Sequence, residues 1–271
     1  MPACAGQPAI QFFSLPGEVD IRLVHGQHVG PHTFPAHAHR SFALGYVEKG
    51  GRLIQSQGQA ASILAGEGFI LNPLQAHTCR IMGSSGHDYW VISISAARMQ
   101  RGFIAGGGSG FPRFPRLKIS APGFLHALPA WLENPSGAAF DHLLELLAAE
   151  AEAVEAPDPA GGALLAEIFE QLETRQDEKL SLHELAKAAH LSPFYLNRVF
   201  RAAAGVPPHT YLLQKRIKSA LTVLTETGSI AAAAQSLGFA DQSHFTRLFK
   251  REVGITPGRY LALHRKKDGR L

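Results

Sequence analysis

Cysteine, membrane-length apolar runs and a leader-like start are what this chain of 271 residues has least of. Its two cysteines, Cys4 and Cys79, cannot build a disulfide framework or a four-cysteine zinc site, so a reducing cytoplasm is the expected compartment. No apolar run approaches the roughly 18 residues that cross a bilayer, which predicts no membrane partner. The opening residues, Met1-Pro2-Ala3-Cys4-Ala5-Gly6, combine neither a basic nor an apolar region, and a secretory signal is not expected. What is present is an ordinary globular balance, 45% hydrophobic and 18% charged, which excludes a disordered or fibrous chain. At roughly 100–200 residues per domain, the length predicts two.

Charge is unevenly placed. Residues 176–271 hold 15 Lys and Arg against 7 Asp and Glu, a balance of +8, whereas residues 1–175 hold 11 against 15, or −4. An acidic body ahead of a basic C-terminal third points to a polyanion partner, most often nucleic acid.

Patterning also changes along the chain. From about Ile10 to Ser95, apolar runs of strand length (Ser41–Val47, Gly68–Leu71, Tyr89–Ile94) alternate with turn formers such as Lys49-Gly50-Gly51, Gly66-Glu67-Gly68 and Gly83-Ser84-Ser85-Gly86. Such spacing predicts a small sandwich or barrel. The stretch Gly102–Gly123 is rich in Gly and Pro and reads as a flexible connection. Its GGGSG at 106–110 lacks the ending of a phosphate loop. A helix is predicted from Phe140 to about Glu155, with Leu143, Leu144, Leu146, Leu147 and Val154 on one side. That stripe either packs on the strand domain or pairs with its copy in a homodimer. Pro157-Asp158-Pro159-Ala160-Gly161-Gly162 reads as a linker, and helical pattern resumes near Ala163.

The strongest signal is an internal repeat. LAKAAHLSPFYLNRVFRAAAGVPPHTY (185–211) matches AAQSLGFADQSHFTRLFKREVGITPGRY (233–260). At an offset of 49, Arg198, Phe200, Gly205, Pro208 and Tyr211 meet Arg247, Phe249, Gly254, Pro257 and Tyr260. Upstream the offset is 48, Ala186 with Ala234 and Leu191 with Phe239, so the second turn is one residue longer. Each copy reads as a helix-turn-helix. Ser192 and Asp241 are N-caps, Pro193 suits the first helical position, and Gly205 and Gly254 suit left-handed C-caps. Leu196, Val199 and Phe200 face inward in one copy, and Phe245, Leu248 and Phe249 in the other. The open faces carry Phe194, Asn197, Arg198 and Arg201, then Gln242, Ser243, Thr246, Arg247 and Lys250. Arg on such a face can read guanine bidentately and Asn or Gln adenine, while Ser, Thr and Lys hold phosphates. Double-stranded DNA is the expected partner. An all-helical protein-interaction module with solvated arginines is the alternative.

These residues resemble the AraC/XylS transcriptional regulators over roughly 179–264. The match includes Ala186, Leu191, Ser192, Leu196, Arg198 and Phe200, and the second half, GFADQSHFTRLFKREVGITPGRY at 238–260. The resemblance implies seven helices, with two helix-turn-helix units joined by a helix at about His209–Thr225. It also implies recognition helices in successive major-groove segments about 34 Å apart, and promoter DNA and RNA polymerase as partners. His244 departs from the small or polar residues often seen at its position in the family.

Family members often carry an N-terminal cupin barrel that senses an effector, and residues 10–95 look like one. Gly30-x6-His37-x-His39 opens the pattern, and Leu64–Pro73 with His77 continues it. His37 and His39, at i and i+2, share one side of a strand; His77 could add a third nitrogen, with Cys79 on its face. Three neutral imidazoles suit a divalent metal such as zinc. Metal-binding cupins usually place a glutamate four or five residues after the second histidine, where this chain has Ala43 and Leu44, and Glu48 comes too late to replace it simply. Three roles for the histidines stay open: hydrogen-bonding a small polar effector, the preferred one, holding a metal, or satisfying backbone and solvent. Tyr46 and Trp90 are candidate apolar walls of an effector pocket. No cofactor is expected beyond such a metal.

The expectation is an α+β chain of two domains. A cupin-like β-barrel with accessory helices spans 10–156, a linker and lead-in helix 157–175, and an all-α domain with two helix-turn-helix units 176–267. The expected function is an effector-controlled, sequence-specific transcription regulator, an activator rather than a repressor, and not an enzyme. A cupin metalloenzyme fused to a DNA-binding tail and a constitutive DNA-binding dimer with a non-sensing barrel are the alternatives.

Overall fold

The computed structural model describes residues 8–83, 86–155, 159–174 and 181–265. Cys4, Ser84, Ser85, the linker residues Pro157 and Asp158, and the basic residues beyond 265 lie outside them. The chain forms two compact units, the first comprising Met1–His32, His39–Gln75 and Cys79–Pro157, the second Thr33–Ala38, Ala76–Thr78 and Asp158–Leu271.

Among the described residues nine strands precede the first helix: β1 (Ala9–Leu15), β2 (Glu18–Val29), β3 (Thr33–His37), β4 (Phe42–Lys49), β5 (Gly51–Ser56), β6 (Gln59–Leu64), β7 (Gly68–Leu71), β8 (His77–Met82) and β9 (His87–Ile94). They form a five-stranded sheet in the order β1-β2-β9-β4-β7 and a four-stranded sheet in the order β3-β8-β5-β6. Side chains alternate across a strand, and the five-stranded sheet uses both faces. Leu23, Phe42, Leu44, Ile92 and Ile94 point to one face and meet the helices α1 (Ala96–Ala105), α2 (Pro122–Glu133) and α3 (Gly137–Leu147). Phe69 and Tyr89, of opposite parity, turn the other way and meet Arg52 of the four-stranded sheet. Two glycines permit this: a Cβ at Gly26 would overlap the Tyr89 ring, and one at Gly45 the Phe69 ring. Both stand inside strands, where glycine marks a close approach.

The leucine stripe is settled by burial. Leu143, Leu144 and Leu147 are at most 2% exposed and join Phe124, Leu128, Ile92 and Ile94 in one core. They pack on their own sheet, the first of the two readings. The helix is shorter than expected. It ends at Leu147, passes through a 3₁₀ turn at Ala148–Glu150, and gives way to a strand, β11 (Glu152–Val154), that pairs with β10 (Phe111–Arg113). Val154 therefore leaves the stripe, because its backbone completes a ribbon with Phe111. Nor is 102–123 merely a connection. It contains the end of α1 and β10, and Phe114, Leu117 and Ile119 bury apolar side chains between its prolines. Arg98 of α1 fastens the helices, bridging Glu18 at 2.8 Å and Asp141 at 2.7 Å.

The C-terminal unit has seven helices among the described residues: α4 (Pro159–Thr174), α5 (Leu182–Ala188), α6 (Pro193–Ala204), α7 (Pro208–Thr227), α8 (Ile230–Ser236), α9 (Gln242–Val253) and α10 (Pro257–Arg265). The α5–α6 turn spans 189–192 and the α8–α9 turn 237–241, one residue longer, as the change of offset requires. Apolar matched positions serve the same purpose in each copy. Phe200 packs against Tyr211 at 5.5 Å and Phe249 against Tyr260 at 5.9 Å. Phe169 of α4 completes the first cluster, 4.8 Å from Phe200 and 5.1 Å from Tyr211.

Truncating Leu144 to alanine is expected to cost roughly 2–5 kcal/mol of stability. Because its partners are intramolecular, the drop in Tm should be the same at low and high protein concentration. A concentration-dependent drop, measured by thermal melting, would instead assign the stripe to a dimer seam.

Candidate nucleic-acid interface and effector site

Local chemistry sets both recognition helices. The Ser192 hydroxyl accepts from the Tyr195 N–H at 3.2 Å, and Pro193 follows as the first helical residue. The Asp241 carboxylate accepts from the His244 N–H at 2.7 Å, and that bond holds the carboxyl below its ordinary range. Gly205 (φ 69°) and Gly254 (φ 92°) close the two helices in left-handed conformations. The preceding helices have caps of the same kind. Ser181 and Glu184 form a reciprocal capping box, and Ser229 accepts from Ala232.

With Leu196 and Phe200, or Phe245 and Phe249, fully buried, the opposite faces are presented outward. On α6, Phe194, Arg198 and Arg201 are exposed, Phe194 at 78%, and Asn197 is half-buried. The Arg198 guanidinium lies over the Tyr195 ring at 5.1 Å. On α9, Gln242, Ser243, Arg247 and Lys250 are exposed and Thr246 is half-buried. His244 is half-buried too, its ring edge-on to Phe239 at 6.0 Å. Its departure from the family pattern is thus taken up by packing.

In the strand region, β3 and β8 belong to one sheet, and His37, His39 and His77 each bring one ring nitrogen within 4.8 Å of the others. The His37 and His77 ring centres are 4.2 Å apart. His37 Nδ1 donates to the Pro35 carbonyl, 2.7 Å away, which fixes the orientation of the ring.

Tyr46 and Trp90 are not with them. Both share parity with Leu44 and Ile92 and pack against the core under α2 and α3, because side chains two residues apart share a face. As walls of a pocket shared with the histidines they are corrected. Trp90 stacks on His25 at 4.0 Å, and its indole N–H donates to Glu48 at 2.9 Å; the other Glu48 oxygen lies 2.9 Å from His25 Nε2. Glu48 is thereby committed to that face.

The opposite, inner face holds groups that sequence reading passed over. Arg52 is buried at 3% exposed, its guanidinium 4.1 Å from the Tyr89 ring centre and 5.7 Å from that of Phe69. Burial raises the Cys79 thiol and the Tyr89 phenol above their ordinary values, and both are neutral. His87, fully buried, stacks on Tyr89 at 5.0 Å. Burial, reinforced by the Arg52 charge, depresses it to about 4. The available signal was parity: Arg52 alternates in step with Ile54, which is fully buried, so a charge stood on the inward side of a strand.

Two helix-turn-helix units on a basic segment, joined to a β-rich domain, define a DNA-binding regulator with a separate ligand-binding part. The sequence matches the family models "AraC-like ligand binding domain" over residues 19–192 and "Helix-turn-helix domain" over residues 185–262. The chain belongs to the AraC family of transcriptional regulators. Among its relatives, the uncharacterized HTH-type transcriptional regulator YbfI of Bacillus subtilis is 30% identical over 78% of this chain and 81% of its own. YisR of the same organism is 25% identical over 83% and 87%. Apo ToxT K231A from Vibrio cholerae shares the fold at a TM-score of 0.65 and 12% identity, covering 90% of this chain and 98% of that one. Wild-type ToxT bound to an unsaturated fatty acid does so at 0.59 and 13%, covering 90% and 95%. Among the described residues no helix is long and apolar enough to cross a membrane.

His87 gives the β-rich unit a pH dependence. Its folded value lies below the ordinary 6.5, so protonation favours the unfolded chain. Stability is full above about 6.5 and falls as pH drops toward 4. Urea unfolding between pH 7 and 4.5 should show this slope, and His87→Gln should flatten it. An unchanged slope in the variant would assign the dependence to other groups.

Proposed function

We propose that this regulator acts in the cytoplasm as an activator, reading promoter DNA with α6 and α9 and answering to a small polar effector held in its ligand-binding domain. The observation that carries the reading is the twofold appearance of one arrangement. Arg198 and Arg247 occupy equivalent, exposed positions on two helices built by the same caps and the same buried aromatic pair. Arg198 and Arg247, with Asn197 and Gln242, are assigned to base edges. Phe194, Ser243 and Thr246 are assigned to the base-reading faces with them, and Arg201 and Lys250 to phosphates. The joining helix α7, 20 residues long, is about 30 Å from end to end, comparable to the roughly 34 Å between successive major-groove segments. Recruitment of RNA polymerase belongs to the reading through the family. A homodimer, if one forms, needs a surface other than the buried leucines of α3.

Binding of effector to one of two conformations would shift their populations and with them the DNA affinity. We assign His37, His39 and His77 to hydrogen-bonding that effector. A polar atom at about 2.8 Å from each nitrogen bridges nitrogens as much as 4.8 Å apart without movement. The second reading, a divalent metal, is favoured by the same convergence. Tetrahedral zinc at about 2.1 Å from each nitrogen would need them about 3.4 Å apart and so would draw the rings inward.

Changing Arg198 or Arg247 to alanine is expected to cost about 1–3 kcal/mol at the operator and to relax base preference at one position. Footprints of both variants indistinguishable from the parent would remove the assignment of these faces. For the histidines, untagged protein purified without chelator should contain no stoichiometric metal, with His37→Ala/His39→Ala unchanged beside it. Stoichiometric metal that vanishes in the double variant would select the metal reading.

A further inference from the structure

The two recognition helices are built alike but differ at one position beside their arginines. Ser192 caps α6 through the N–H of Tyr195, and Asp241 caps α9 through the N–H of His244. At the offset of 49, Tyr195 and His244 are therefore equivalents in the first helical turn. Long side chains on a helix lean back toward its N-terminus, over the residue three or four positions earlier. That direction carries Arg198 toward Tyr195, and would carry Arg247 toward His244.

In the first copy the pair meets. The Arg198 guanidinium lies over the Tyr195 ring, 5.1 Å from its centre, and both residues are exposed. In the second copy His244 is half-buried, its ring turned edge-on to Phe239 at 6.0 Å. Phe239 stands where the first copy has Leu191, whose aliphatic side chain offers no ring. One exchange in the turn thus accompanies the diversion of the aromatic side chain away from the arginine face.

The contact has a consequence for readout. Stacking takes up the flat face of a guanidinium and leaves the N–H edge in its plane, the edge that pairs with guanine O6 and N7. Among the described residues no hydrogen bond or ion pair occupies that edge of Arg198. An arginine held in one orientation before DNA arrives loses less rotamer freedom on binding. The gain is confined to the base that accepts both N–H groups, so it acts on selectivity as well as on affinity.

We propose that Tyr195 is a positioning residue for base recognition, its ring holding the Arg198 guanidinium ready for a guanine, and that the second recognition helix lacks this device. The proposal rests on the assignment of Arg198 and Arg247 to base edges and names what orients the first of them.

The test uses the full chain and a duplex library randomised over two to three helical turns. Duplexes selected by the parent protein, and their single-base variants, are then titrated by fluorescence anisotropy at one fixed salt concentration. Tyr195→Leu should lower selectivity about two- to fivefold at the base pair that Arg198→Ala relaxes, and leave the base pair relaxed by Arg247→Ala unchanged. Tyr195→Phe, which keeps the ring, should match the parent. Adding Tyr195→Leu to Arg198→Ala should change nothing further. On the chain without DNA, the Arg198 Nε–H proton, identified by its loss in Arg198→Lys, should stand upfield and return to its ordinary position in Tyr195→Leu.

A merely structural role would weaken both base pairs and add to the loss in Arg198→Ala, and either result overturns the proposal. So does a Tyr195→Phe as weak as Tyr195→Leu, which would shift the role to the phenol hydroxyl, or an Arg198 proton that Tyr195→Leu does not move. Selectivity lost in Arg198→Ala and kept in Tyr195→Leu would overturn this role and leave the base-reading assignment standing. Selectivity kept in Arg198→Ala would overturn that assignment, and the role of Tyr195 with it.

Discussion

Each recognition helix is held by a phenylalanine on its buried face packed against a tyrosine on the helix that follows. Phe200 meets Tyr211 on α7, and Phe249 meets Tyr260 on α10, in each case across a left-handed glycine and a proline that starts the next helix. The glycine lets the chain reverse within a few residues and the proline sets the direction in which it resumes. The aromatic pair then fixes the rotation of the recognition helix about its own axis. Rotation matters because a helix face is only a few residues wide. A turn of 100°, one residue's worth, would bury Arg198 or Arg247 and expose Leu196 or Phe245. Burying two large rings in each copy makes that slip costly, so the outward residues inherit their positions from the inward ones.

The five-stranded sheet follows a comparable economy with the period of two. One parity gives up Leu23, Leu44, Ile92 and Ile94 to the helices. The other leaves glycine where its neighbours need depth, so that Tyr89 and Phe69 lie against bare backbone and reach Arg52 across the unit. The first face is a core and tolerates only apolar exchange. The second buries a cation among aromatic rings. Glu48, His25 and Trp90 tie off the rim of the first face with a closed set of contacts, which keeps a carboxylate away from the second.

How much of this was legible depended on whether the determinant was local. Caps at Ser192 and Asp241, glycine C-caps and the shifted offset in the second turn are short-range chemistry, and the repeat displayed them twice. The convergence of His37, His39 and His77 was also readable, since i and i+2 spacing fixes one pair and the third lies on the neighbouring strand. Long-range pairing was not. Glu152–Val154 continues a helical pattern in sequence, and only the ribbon partner at Phe111 converts it to a strand. Tyr46 and Trp90 are aromatic and strand-borne, as pocket walls are. Which side they face depends on sheet order, which one sequence does not contain. Arg52 and His87 escaped because polar residues are read as exposed by default, although Gly26 and Gly45 already marked where something would come close.

The electrostatics of the inner face bear on what it can hold. Three imidazoles bring no negative charge to offset a dication, and a metal site of that composition relies on its surroundings. Cys79 stands two residues from His77 on β8, and Arg52 acts on it closely enough to oppose the rise that burial imposes on its thiol. The same guanidinium helps depress His87. A fixed positive charge that reaches both groups raises the cost of admitting a divalent cation nearby and lowers the cost of admitting an anion. The carboxylate that could have reversed this, Glu48, is bound to His25 and Trp90 on the other side of its sheet.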